Sequence, residues 1–127
     1  MGNSILIVED DEDLLVIYKE ILELHQFEVI TARNGKEGVE NFMESKPSLV
    51  IMDGDMPILN GYEAFKKIKK IDKDANVVIV TGFSEFEPKN QEVIKMGLIK
   101  VISKPVGIDD LLVLAEKYGK NKIEKEL

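Results

Sequence analysis

The chain has 127 residues, a length that fits one domain and buries a core without staples. Its formal charge of −7 argues against the basic footprint that nucleic acid or an anionic membrane requires. It has no cysteine, no apolar run of transmembrane length and no basic signal start. Disulfides and thiolate metal sites are therefore excluded, and the expectation is a soluble cytoplasmic protein without membrane insertion.

The first apolar run, Ile5–Val8, leads straight into five acids in "ILIVEDDED". A helix follows, read from Leu14, Ile17, Tyr18, Ile21 and Leu24 at helical spacing. Phe27–Ala32 is a second strand, then Asn34-Gly35 opens a helix carrying Val39, Phe42 and Met43. Leu49–Met52 is the third strand, and Asn60-Gly61 precedes a helix with Tyr62, Phe65, Ile68 and Ile71. Lys66, Lys67, Lys69 and Lys70 form the wet face of that helix rather than a nucleic-acid patch. Val77–Val80 is the fourth strand. Residues 87–96 form a weaker helix with Pro88 in its first turn. Ile99–Ile102 is the fifth strand, and Leu111, Leu112, Leu114, Ala115 and Tyr118 mark the last helix. His25, the single histidine, reads as a surface residue near a helix end.

Five strands alternating with five helices predict a single α/β domain with a parallel sheet and right-handed crossovers. The first, third and fourth runs are continuous and rich in Val and Ile, as strands covered on both faces are. The second and fifth alternate in part, as edge strands do. In such sheets ligands bind beyond the carboxyl ends of the strands. Polar residues stand at four of those ends: Glu9 and Asp10, Asp53, Thr81 and Gly82, and Lys104.

Three carboxylates at one pocket repel and raise one another's pKa. A divalent cation removes the conflict, and Mg²⁺ typically takes one or two carboxylates plus a phosphate. The acids therefore read as a Mg²⁺ site that expects a phosphoryl group. Lys104 supplies a mobile positive charge, Thr81 a hydroxyl and Gly82 an approachable backbone N–H. An aspartate can itself accept phosphoryl as a nucleophile, and Asp53, at the end of the central strand, is the candidate. Gly54 permits a tight backbone path beside it.

Taken together, "ILIVEDD", "LVIMDGDMPILNG", "VVIVTG" and "ISKP" resemble the receiver domain of two-component response regulators, over about residues 4–119. The resemblance implies a doubly wound, flavodoxin-like sheet in the order 2-1-3-4-5. It implies that Asp53 is phosphorylated by the phosphohistidine of a sensor histidine kinase or phosphotransfer protein, or by a small phosphodonor. Asp10, Asp53 and the backbone carbonyl of Asp55 would hold Mg²⁺, with Glu9 acting through water. Thr81 and Lys104 would hold the phosphoryl oxygens, and the Lys104–Pro105 bond would be cis. Glu9 and Asp10 are then site residues, while Asp11, Glu12 and Asp13 begin the first helix, where acids favour the dipole.

Three features depart from the family pattern. Val101 replaces the aromatic usual three residues before the lysine, which leaves Phe83 and Phe86 as candidate substitutes in the switch. Asp55 and Phe83 occupy positions where the family tunes hydrolysis of the acyl phosphate, and the Asp55 carboxylate sits near the metal mouth. The segment "GFSEFEP", Gly82–Pro88, runs about one residue longer than is common.

The leading expectation is a phospho-accepting switch, not a turnover enzyme, acting on a downstream effector protein. Residues 120–127 are expected to be a short charged helical extension or tail with no output domain. Two alternatives stand beside it. One is a phosphate-independent binding module of the same fold. The other is a phosphohydrolase built on Asp53-Gly54-Asp55, with Asp109-Asp110 as its later acidic pair.

Overall fold

The computed structural model describes residues 4–119; the expected charged extension, residues 120–127, lies outside them. The chain runs β1 (Ser4–Val8), α1 (Glu12–Leu24), β2 (Glu28–Ala32), α2 (Gly35–Ser45) and β3 (Leu49–Asp53). It continues through α3 (Gly61–Ile71), β4 (Val77–Thr81), α4 (Pro88–Lys95), β5 (Lys100–Ser103) and α5 (Ile108–Tyr118). All strand pairs are parallel, in the order β2-β1-β3-β4-β5. This is the expected (βα)5 flavodoxin-like sheet.

The period of two along each strand divides the core. Leu6, Val8, Val50, Met52, Val77 and Ile79 point to one face, where Phe42 of α2, Phe65 and Ile68 of α3 and Val93 of α4 cover them. Ile5, Ile7, Leu49, Ile51, Val78 and Val80 point to the other, beneath Leu15 and Leu22 of α1 and Leu111 and Leu114 of α5. Central strands covered on both faces need apolar residues at every position, and β1, β3 and β4 are buried throughout. β2 and β5 lie at the edges and are partly exposed.

The helix stripes differ from the sequence reading at several positions. α1 buries Leu15, Tyr18 and Leu22, while Ile17 and Leu24 are exposed. Met43 of α2 and Ile71 of α3 are exposed as well. The physical reason is rotational: adjacent helix positions differ by about 100°, so an apolar run admits two overlapping stripes, and only sheet contact selects one. Three helices begin on side-chain caps. Asp11, Asn34 and Asn60 each accept a bond from backbone N–H groups of the first turn. α4 has Pro88 in its first turn, no side-chain cap, and only Asn90 and Val93 buried.

Candidate functional site

The acceptor position is built by the sheet. Asp53 is the last residue of β3, opposite Val80 in the register. Gly54 then donates its N–H to the Val80 carbonyl at 2.9 Å, which holds the chain as it leaves the strand. Gly61 N–H returns to the Gly54 carbonyl at 3.0 Å. A Cβ at Gly61 would strike the Asp53 carbonyl, so only glycine lets α3 start this close to the acceptor.

Asp53 is 2% exposed. Its Oδ1 accepts from the Lys104 ammonium at 2.8 Å and from the Asp55 N–H at 3.0 Å. Its Oδ2 is buried and has no hydrogen-bond partner among the described residues. A buried carboxylate oxygen left unpaired is costly, and an incoming cation or electrophile would relieve it. Lys104 is positioned by β5: its N–H donates to the Thr81 carbonyl at 2.9 Å, and the Lys104–Pro105 bond is cis, as the resemblance implied. Burial alone would lower the Lys104 pKa; the bonded Asp53 carboxylate, with Glu9 and Asp55, outweighs it and raises the pKa.

Glu9, Asp10 and Asp53 bring one carboxylate oxygen each to within 4.8 Å of one another. That is the donor set a hard dication prefers. Without an ion the acids conflict. Burial pushes the Glu9 pKa from 4.5 up to about 7; Asp53 and Asp10 add to the rise, while the Asp11 N–H and Lys104 oppose it. Glu9 Oε2 accepts from the Asp11 N–H at 3.1 Å, which fixes its carboxylate.

The Asp55 side chain does something other than add to the metal mouth. Its Oδ2 accepts from the Thr81 hydroxyl at 3.4 Å, and its Oδ1 lies 3.9 Å from the Lys89 ammonium. It is turned toward β4 and α4, and it is not one of the three acids whose oxygens cluster. Thr81 is fully buried, and its Oγ1 also accepts from the Phe83 N–H at 3.2 Å. Gly82 is exposed, with open space where a Cβ would stand. Phe83 is half exposed, with the Lys89 ammonium 3.8 Å above its ring. Phe86 lies further out, 77% exposed. Val101 packs from β5 against the core, beside a 480 Å³ cavity it shares with Phe86, Lys100 and Ser103. Asp109 and Asp110 sit in the exposed first turn of α5, apart from the carboxylate cluster.

Sequence reasoning missed three neighbours of the site: Tyr62, Lys89 and Asn90. The Tyr62 hydroxyl donates to Asn90 Oδ1 at 2.6 Å in a buried contact. Tyr62 looked like one more apolar position of α3, and Asn90 sat in the helix with the weakest pattern. Nothing local marked them.

Residues 5–116 match the family described as response regulator receiver domain. This chain belongs to that family. Among curated relatives, the chemotaxis protein CheY of Thermotoga maritima is 38% identical over 106 residues, covering 83% of this chain and 88% of its own. A CheY-like receiver domain protein from Methanospirillum hungatei superimposes with a TM-score of 0.83 at 30% identity, over 92% of this chain and 93% of its own. The response regulator TrrA of T. maritima, solved in complex with Mg²⁺ and BeF, superimposes with a TM-score of 0.78 at 29% identity, over 91% and 97%. Receiver domains bind Mg²⁺ at an acidic pocket, and this receiver carries a Glu, Asp, Asp group at that place. Among the described residues no helix is long and apolar enough to cross a membrane.

Proposed function

We propose that this receiver is a phosphorylation-driven switch in which Asp53 takes a phosphoryl group from a phosphohistidine of a sensor kinase or phosphotransfer protein, or from a small acyl phosphate. The observation that carries the reading is the asymmetry of Asp53. One oxygen is bonded to Lys104 and Asp55, the other is buried without a hydrogen-bond partner among the described residues, and the residue as a whole stands in a cluster with Glu9 and Asp10. The free oxygen attacks phosphorus. The new bond is Asp53 Oδ2–P, and the bond from phosphorus to the donor's nitrogen or oxygen breaks with its electron pair going to the donor.

Little covalent chemistry is asked of the rest of the site; it positions groups and neutralises charge. Lys104 already sits on the acceptor and can turn to a phosphoryl oxygen as a point charge. Thr81 has a weak 3.4 Å bond to Asp55 to give up, so its hydroxyl is available to the phosphoryl group. Glu9, Asp10 and Asp53, with the Asp55 backbone carbonyl, would hold Mg²⁺, which neutralises charge on the transferring group when bound. Gly82 has open space where a Cβ would stand, so its backbone can be approached closely. The product changes the surface offered to an effector protein.

The phosphohydrolase reading loses support because Asp109 and Asp110 do not join the carboxylate cluster. Two assays separate it from the switch: uptake of phosphoryl from acetyl phosphate with Mg²⁺, and steady-state release from an aryl phosphate. The switch predicts uptake that saturates near one group per chain with negligible aryl phosphate turnover. Multiple turnovers without a labelled intermediate would overturn it.

A further inference from the structure

The β4–α4 loop leaves Thr81 and is closed by a residue of α4. Asn90 is fully buried; its Nδ2 donates to the Ser84 carbonyl and its Oδ1 accepts from the Tyr62 hydroxyl, both at 2.6 Å. Tyr62 in turn lies against the backbone next to the acceptor, since a Cβ on Gly54 would stand 3.0 Å from Tyr62 Cε2 and 3.2 Å from its oxygen. Burial raises the Tyr62 pKa, and the neighbouring Thr81 hydroxyl opposes that rise. A closed ring results: Asp53 and Gly54, Tyr62, Asn90, Ser84, Phe83 and Thr81. Both ends of the Asn90 amide are used, and reversing it would set the amide oxygen against the Ser84 carbonyl, acceptor against acceptor. The second link between site and helix, Lys89 to Asp55 at 3.9 Å, is exposed and weak. α4 has no side-chain cap and only two buried residues, and its first turn is otherwise held at the surface, by Lys89 over the Phe83 and Tyr62 rings and by Gln91 donating to the Glu85 carbonyl.

We propose that the buried Tyr62–Asn90 hydrogen bond couples the acceptor site to α4, with Tyr62 and Asn90 as positioning residues that make the first turn of the helix follow Thr81. The coupling rests on the reading of Asp53 as acceptor. When the Thr81 hydroxyl turns from Asp55 to a phosphoryl oxygen, the Phe83 N–H bonded to it is displaced. Ser84 moves with Phe83, and Asn90 either follows Ser84, pulling on its bond to Tyr62, or loses its bond to Ser84. The state of the site thus reaches α4 along a path that does not involve residue 101.

The test is amide NMR of the full chain with Mg²⁺, before and after beryllofluoride, in the parent, Tyr62→Phe and Asn90→Ala. In the parent, shifts are expected at Gly54 and Thr81 and through Lys89–Lys95. Tyr62→Phe keeps the ring and should bind beryllofluoride within about threefold of the parent, with the shifts at Gly54 and Thr81 retained and those of Lys89–Lys95 at least halved. Asn90→Ala should give the same split from the other end of the bond. Full-sized α4 shifts in a variant that still binds would overturn the coupling alone. A more than tenfold loss of binding in Tyr62→Phe would also count against it, by marking a role in the site itself. A parent that takes no beryllofluoride would overturn the Asp53 reading, and the coupling with it.

Discussion

Two buried carboxylates of this site are compensated to different degrees. Asp53 has an ammonium and an amide on one oxygen, whereas Glu9 has one amide and two acidic neighbours. Glu9 therefore holds its proton in the folded chain from its ordinary 4.5 up to about 7. Within that window the folded state binds more protons than the unfolded state, so this residue makes stability fall as pH rises through it. In chelator, the pH profile of the thermal midpoint of Glu9→Gln is expected to lack that fall. The variant should melt higher than the parent above pH 7, by on the order of 5 °C. Parallel profiles for parent and variant would mean that Glu9 does not titrate there. Mg²⁺ competes with the same proton, so its affinity should rise with pH through about 7.

At the scale of elements, the site depends on how α3 begins. The Asn60 side chain caps α3 by accepting from the Glu63 N–H at 3.0 Å, and the next residue, Gly61, is bonded to Gly54. Asn60→Ala should cost about 1 kcal/mol of stability, seen as a lower denaturation midpoint with unchanged slope. It should also perturb the amide of Gly54. A variant that loses the stability but leaves Gly54 untouched would show that the start of α3 does not set the acceptor loop. The elements themselves were legible because their causes are local. Continuous Val and Ile runs became the covered strands β1, β3 and β4, and the partly alternating runs became the edges β2 and β5. The stripes on α1, α2 and α3 were legible only in part, since Ile17, Leu24, Met43 and Ile71 carry apolar side chains on faces the sheet does not cover.

Across the whole molecule, the parallel sheet gathers residues far apart in sequence at the carboxyl ends of four of its five strands. Glu9, Asp10, Asp53, Thr81 and Lys104 could be singled out because each comes at the end of an apolar run, and the charged ones among them are types depleted in buried strands. The direction of the Asp55 carboxylate was not readable, because Thr81 and Lys89 that draw it lie 26 and 34 residues further on, by subtraction of their sequence numbers. Tyr62 and Asn90 were hidden for the same reason: their bond spans 28 residues and neither has a local signature. The fold's contribution to function is thus a preorganised cluster of charge around one free carboxylate oxygen. The measurement that addresses this most directly is the intact mass of the protein after incubation with acetyl phosphate and Mg²⁺, beside Asp53→Asn and a chelator control. A single added phosphoryl group on the parent, absent from both controls, is the predicted result. Equal labelling of Asp53→Asn, or a parent that gains no mass from acetyl phosphate or from a phosphorylated histidine donor, would contradict it.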